Sequence, residues 1–193
     1  MLMNETIKSI LARRSYKAFK PDSIPDNVLD TILEAGKYAP NGMNQQKWHF
    51  TVVKSAAGKA MFKKGLQEMM QKRPPFRPAS AGGPPPQPPN VKVLPEEEMR
   101  GAPVLILVSG DASVGSSPAN CALATENMYI AAASFGIMSG WTNVTAKDLF
   151  ADAAVKRQFR IPEGYDVYSA SFFGYPDGET KDRGPRKAGV TVL

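Results

Sequence analysis

Near the amino end, Arg13-Arg14-Ser15-Tyr16-Lys17 has the makings of a phosphate clamp. Two or three cations around one hydroxyl oppose a phosphate monoester dianion and give it charge-assisted hydrogen bonds. On an extended arm alternate side chains point the same way, so Arg13, Ser15 and Lys17 are expected to share a face. The other reading of these residues is a solvated basic turn, because charge runs usually face water. A second segment, Ala39 to Trp48 (APNGMNQQKW), is rich in amides that donate and accept along the edge of a heterocyclic ring. Gly42 within it admits close backbone approach. Read otherwise, it is a hydrophilic helix-to-strand loop. A third, Gly174-Tyr175-Pro176 leading to Arg183-Gly184-Pro185-Arg186-Lys187, is a strand end followed by a basic tail, or simply a solvated terminus.

Equally informative is the chemistry that cannot be assembled. The single histidine, His49, falls at an outward position of an expected strand, and there is no G-x-S-x-G. Cys121, the one cysteine, lies in an apolar helical segment where an inert buried thiol is the simpler role. One Cys and one His exclude a disulfide framework, an iron–sulfur cluster and a multi-Cys zinc site, and disfavour a His-rich metal centre. Neither G-x-x-x-x-G-K-S/T nor a strand-following G-x-G-x-x-G occurs, which removes support for ATP or a Rossmann-bound dinucleotide. An enzyme with so few acids and bases draws its reactivity from a cofactor.

The elements that would position these segments follow from periodicity. Asn4 is placed to cap a first helix with Ile7, Ile10 and Leu11 on one face, and 12–20 leaves it as an extended arm. A second helix is expected from Ser23, with Pro25 in its first turn, Val28, Leu29, Ile32 and Leu33 buried, and Gly36 weakening its end. Trp48, Phe50 and Val52 alternate as a half-buried strand. Residues 55–73 read as a helix with Phe62, Leu66, Met69 and Met70 on one side and lysines on the other. APVLILVSGD reads as a strand buried on both faces, Ala119 to Phe135 as an apolar helix needing cover from a sheet or another subunit, and Tyr165 to Gly174 as a strand. Thr145 and Asp148 mark another helix start, followed by Leu149, Val155 and Phe159. Helices and strands mix without strict alternation or internal repeat, which favours a three-layer α+β domain over a Rossmann-type sheet.

Composition sets the outer bounds. With 193 residues, 42% hydrophobic and 22% charged, the chain is long enough for one globular domain without metal or disulfide. Its net charge of +6 is concentrated: residues 1–20 and 181–187 contribute +4 and +3, and residues 54–77 contribute +6, so the remainder is acidic. Eight of the 17 prolines lie between Pro74 and Pro89, a stretch that cannot form helix or central strand and reads as a long surface loop or lid. The longest apolar run, Ala102 to Val108, is far short of the ~20 residues that span a bilayer. MLMNETIKS carries no apolar region of the signal-peptide type, so a reducing, cytoplasmic setting is expected.

Taken in order, the motifs carry a resemblance. ARRSYKAF after an amino-terminal helix, APNGMNQQKWHF, APVLILV, the alanine-rich ENMYIAAASFGIMSGW, and FFGYP followed by PRK occur in fixed sequence. On these the chain resembles the FMN-dependent nitroreductase family, particularly its short bacterial members, over nearly all of its length except roughly residues 61–98. The resemblance implies an α+β, three-layer α-β-α fold with a central mixed, mainly antiparallel sheet. It implies one FMN-binding domain over residues 1–193 with a proline-rich insertion or lid at about 74–90, and a homodimer with FMN at the subunit interface. Carried over residue by residue, Arg13, Ser15 and Lys17 would hold the FMN phosphate and ribityl end, with Arg14 a less regular ligand. Arg186 would close the phosphate site, with Lys187 or Arg183 assisting. Asn41, Gly42 and Asn44 would approach the flavin from the partner subunit. Trp141, Thr142 and Asn143 would lie against the ring, with a backbone N–H directed at flavin N5. The implied activity is a ping-pong oxidoreductase taking hydride from NADH or NADPH onto flavin N5 and passing electrons to nitroaromatic, quinone or related small acceptors.

Three departures qualify that pattern. Asn41-Gly42 replaces a small hydroxyl pair, Lys47 replaces proline before Trp48, and the proline-rich segment occupies the region that commonly covers the active site. Two further function classes stand beside the enzyme: a flavin-binding protein for storage or sensing, and a nucleic-acid or partner-binding module using the basic helix and the proline-rich stretch. The latter lacks the aromatic interleaving that single strands need, and neither nucleic acid nor a membrane is the expected partner.

Overall fold

The computed structural model describes residues 2–72, 99–142, 148–179, 184 and 186–192; the proline-rich stretch at 74–90 lies outside them. Its centre is β2 (Val104–Asp111), which is buried along its first seven residues, as its unbroken run of branched side chains requires. β2 pairs antiparallel with β1 (Trp48–Val53) on one side and with β4 (Tyr165–Gly174) on the other. The fourth strand, β3 (Met138–Trp141), pairs with β4, giving the order β1-β2-β4-β3. Every strand pairing described is antiparallel. The parallel part of the expected mixed sheet is the single bridge between Ser15 and Ser139. β3 was not expected from sequence: four residues including a glycine carry little strand signal of their own.

The helices cover both faces. On one, α2 (Asp26–Lys37) and α4 (Ser117–Ser134) pack Ile32 and Met128 against Val104, Ile106, Val108 and Phe173. On the other, α3 (Ala56–Lys72) and α5 (Ala153–Gln158) join a core of Phe62, Leu66, Leu105, Leu107, Phe159 and Phe172. Phe62 meets Phe159 and Phe172 edge to face, the preferred arrangement for aromatic quadrupoles. The expected three-layer α+β architecture is therefore present. The side chain of Met70, expected on the buried side of α3, lies outside the described residues.

Local chemistry sets the helix ends. Asn4 caps α1 (Glu5–Ala12) as expected, its Oδ1 accepting from Ile7 N at 2.9 Å. The apolar stripe of α1 is not buried, however: Ile10 and Leu11 stay 41% and 48% exposed. α2 starts at Asp26 rather than Ser23, with Pro25 at its N-cap. The proline ring forces Ile24 out of helical geometry, and the Pro25 carbonyl accepts the first bonds, from Val28 and Leu29. Gly36 lies one residue before the end of α2, as expected, and is also buried: a Cβ there would sit 2.9 Å from Met128 Cγ where α2 and α4 touch. α5 is capped by Asp152, whose Oδ1 accepts from Ala154 N at 2.7 Å; Asp148 and Leu149, at the helix start expected from Thr145 and Asp148, are themselves helical. The chain enters α5 only after Leu149 and Phe150 have turned into the core; Thr145 itself lies outside the described residues.

Candidate functional site: a basic arm and a strained amide loop on one helix

The arm at 13–20 is held by two aromatic plugs. Tyr16 and Phe19 are buried among the α3-side core, and between them the chain bends at Lys17. Backbone bonds fix the rest: Tyr16 N donates to Ser139 O (2.9 Å), Phe19 N to Arg100 O (2.8 Å) and Lys20 N to Tyr175 O (2.9 Å). Gly140 on β3 permits this docking, since a Cβ there would lie 2.5 Å from Tyr16 O.

The four polar residues of the arm do different things. Arg13 leaves α1 half-buried, its Nε 3.4 Å from Glu126 Oε1 and its guanidinium carbon 6.0 Å from the Tyr129 ring centroid. Arg14 turns back and donates to the carbonyls of Arg13 (2.9 Å) and Leu11, satisfying the open end of α1. Its Nε is buried without a hydrogen-bond partner. Ser15 and Lys17 are exposed. Arg186 and Lys187 are exposed in the carboxyl-terminal segment, where no hydrogen bond or ion pair among the described residues ties them to Arg13. Arg183 and Asn143 lie outside the described residues.

The amide loop is a single 3₁₀ turn, Gly42–Asn44, with three non-glycine residues in left-handed backbone: Met43, Asn44 and Gln46, at φ of 53°, 52° and 52°. Such conformations cost energy and concentrate at binding sites, where surrounding contacts enforce them. The contacts here are specific. Asn41 Oδ1 accepts from Gln46 N at 2.9 Å, so that oxygen braces the loop. Asn44 Oδ1 accepts from Gln46 Nε2 at 3.1 Å, and Gly42 N donates to Asn120 Oδ1 at 3.4 Å.

Lys47 ends the loop in an ion pair with Asp111 at 2.8 Å, so its charge is matched rather than presented alone. Asp111 Oδ1 also accepts from Ser113 N and Oγ at 2.9 and 2.6 Å. Chiefly through the Lys47 bond, and then through Ser113, the Asp111 carboxyl is lowered to about 2, while the same bond raises the Lys47 amine. A carboxylate whose pKa is depressed on folding stabilises the fold above its unfolded pKa, and loses that contribution as pH falls through the folded value. Thermal unfolding should therefore find the unsubstituted protein more stable than Asp111→Asn at neutral pH. The gap should narrow below about pH 4 and close near pH 2; a gap independent of pH would contradict the clamp.

α4 joins the two groups. Asn120 holds the loop, whereas Glu126 and Tyr129 meet Arg13, and the nine steps from Asn120 to Tyr129 span about 13 Å of helix axis. Sequence reasoning missed Asp111, Asn120, Glu126 and Tyr129. A usable signal existed for Glu126, the only charged residue within Ser117–Ser134. Thr142 is buried and its N–H is committed to Ala170 O at 3.0 Å. Trp141 is 61% exposed. Clefts of about 290, 440 and 510 Å³ lie between α3 and α5, beside the start of β4, and between α2 and β1. None of the three is lined by Arg13, Ser15, Asn41 or Asn44.

No nucleophile-and-base set is assembled among the described residues. Cys121 is fully buried and its thiol is pushed up to about 12 by burial, and His49 sits on edge strand β1. The described residues contain no His/Cys/Asp/Glu group able to hold a metal ion, and no helix long and apolar enough to cross a membrane.

A family model described as the nitroreductase family matches residues 10–175, from the end of α1 to the residue after β4. The chain belongs to the nitroreductase family. The match includes the arm, the amide loop and Thr142, while Arg186 and Lys187 lie beyond it. Two solved nitroreductases with bound FMN share the fold over essentially their whole length. That of Bacteroides fragilis is 29% identical, with a TM-score of 0.78, 99% of this chain covered and 100% of that one. That of Desulfitobacterium hafniense is 27% identical, with a TM-score of 0.79 and both chains covered in full. A protein of Archaeoglobus fulgidus, itself named provisionally as an NADH dehydrogenase/NAD(P)H nitroreductase, is 30% identical over 182 residues, 92% of this chain and 88% of its own.

Proposed function

We propose that the protein is an FMN-dependent NAD(P)H oxidoreductase whose flavin sites form between two copies of the chain. The observation that carries this reading is the full-length match to nitroreductases named with bound FMN, in which the arm and the amide loop fall inside the matched span. The residues present fit the cofactor. Arg13, Ser15 and Lys17 suit a phosphate monoester dianion, which charge-assisted bonds hold most strongly. In this reading Arg186 and Lys187, both exposed, close on the same anion, with Arg183 assisting. Asn41, Gly42 and Asn44 present a preformed, strained edge to a flat heterocycle; Asn41 contributes mainly by bracing that edge. When bound, FMN supplies the hydride and electron-transfer chemistry that the side-chain inventory lacks.

Support for the homodimer comes from what one chain leaves open. Arm and loop are separated along α4, and in this reading the loop of one chain meets the arm of the other across the dimer. Apolar side chains stand exposed on α1 (Ile10, Leu11) and α4 (Leu123, Phe135), a pattern that marks association surfaces. In this reading donor and acceptor occupy one open pocket in turn, a ping-pong cycle, and nitroaromatic or quinone compounds are the acceptors. The cytoplasmic setting expected from the sequence belongs to the same reading.

The test is optical. Purified protein should show the absorbance bands of bound oxidised flavin, and anaerobic NADH or NADPH should bleach them within a turnover time. A bound flavin that neither nucleotide reduces would instead identify a storage or sensing protein. Salt-sensitive nucleic-acid binding without flavin would point to the third class.

A further inference from the structure

Arg13 is held on two sides before any ligand arrives. Its Nε edge faces Glu126 Oε1 at 3.4 Å, and its guanidinium lies over the Tyr129 ring at 6.0 Å. Glu126 and Tyr129 are one turn apart on α4, so their side chains meet the same point above the helix. Tyr129 cannot drift: its hydroxyl hydrogen-bonds Ser171 Oγ, and its ring packs 5.7 Å from Phe173. The root of Arg13 is fixed too, its N–H donating to Ser9 O at 3.0 Å as α1 ends. No described residue takes the two terminal Nη groups. A guanidinium is a planar fork with five donors, so occupying Nε and one face leaves the Nη pair as the free, bidentate edge.

We propose that Glu126 and Tyr129 are positioning residues that hold the Arg13 guanidinium in place, with its Nη edge free for the cofactor phosphate. This rests on the reading that Arg13 binds the FMN phosphate. Glu126 does not compete for the same donors, since it uses the Nε edge and is half exposed, so its charge is screened by water. Its contribution is to restrict a long, rotamer-rich side chain in advance, which removes an ordering cost from binding.

The test compares FMN with riboflavin, which lacks the phosphate. Full-length protein is loaded with either flavin and diluted, and the fluorescence of released flavin gives each dissociation constant. Arg13→Ala should weaken FMN by a hundredfold or so while leaving riboflavin unchanged, whereas Glu126→Ala should weaken FMN alone, by about tenfold. Glu126→Gln, which keeps the size of the side chain but not its charge, should recover only part of that loss, because the 3.4 Å contact with Nε is an ion pair. Tyr129→Phe, which keeps the ring and its packing on Phe173 but loses the hydroxyl bond to Ser171, should retain most of the FMN preference, and Tyr129→Leu, checked for folding by circular dichroism, should lose it as Glu126→Ala does. FMN binding unchanged or tightened by Glu126→Ala would overturn the positioning role, as would equal loss of both flavins. If Arg13→Ala itself leaves the preference for FMN intact, the phosphate reading falls and the inference falls with it.

Discussion

Arg13→Ala combined with Arg186→Ala should yield folded, colourless protein that elutes at the unsubstituted volume. Each guanidinium contributes a charge-assisted interaction with a phosphate dianion, and hydrogen bonds to charged groups are worth about 1.5–3 kcal/mol. Losing two therefore costs roughly 3–6 kcal/mol of cofactor affinity, on the order of a hundredfold to ten-thousandfold. Against this, the cost to folding is small. The Arg13 ion pair with Glu126 is partly exposed, and Arg186 is exposed in the tail. Pairs of that kind contribute about 0–1 kcal/mol. The ratio of flavin to protein absorbance after gel filtration checks the outcome. Stoichiometric yellow cofactor retained by the double variant would remove both residues from the phosphate site. Loss on Arg13→Ala alone, with Arg186→Ala retaining full colour, would keep the arm and dismiss the tail.

How far the sequence could have led to this site depends on whether a feature is local. β2, β4 and the apolar helix α4 were legible because a largely buried segment carries enough apolar residues to show itself, whatever its neighbours. The Asn4 cap was legible for a related reason, since its partner, Ile7 N, is three residues away. β3 was not, because MSGW is a strand only through β4 on one side and the arm on the other. The left-handed backbone left a local mark only at Asn44, since asparagine tolerates it, and none at Met43 or Gln46. It is enforced partly from elsewhere, by Asn120 and by the Lys47 to Asp111 pair, which spans 64 positions of sequence. The site residues named from sequence came mainly from the order of motifs. The residues that support them, Glu126 and Tyr129 among them, emerge only when α4 is laid against the arm.

The arm's dependence on β3 makes Gly140→Ala a severely damaging small substitution near the site. An added Cβ would lie 2.5 Å from Tyr16 O, well inside ordinary contact, and the obstacle is backbone rather than a side chain that can swing away. β3 is pinned by its ladder to β4, so the arm must yield. Yielding breaks the bond from Tyr16 N to Ser139 O and loosens the Tyr16 and Phe19 plugs. One backbone hydrogen bond is worth about 1 kcal/mol, and partial exposure of two aromatic side chains adds about 1–3 more. A total of roughly 2–4 kcal/mol corresponds to a fall in Tm of about 5–15 °C for a chain of this size. Flavin should be lost as well, because Arg13 and Ser15 ride on the displaced arm. Gly164→Ala separates this from general destabilisation. Gly164 has φ of +77° with open space around it, at the turn into β4. Strain there costs about 1 kcal/mol, yet the arm is untouched, so Tm should drop while flavin stays bound. If Gly140→Ala kept its flavin at a lowered Tm, the arm would be a structural strap and the phosphate ligands would have to be sought elsewhere.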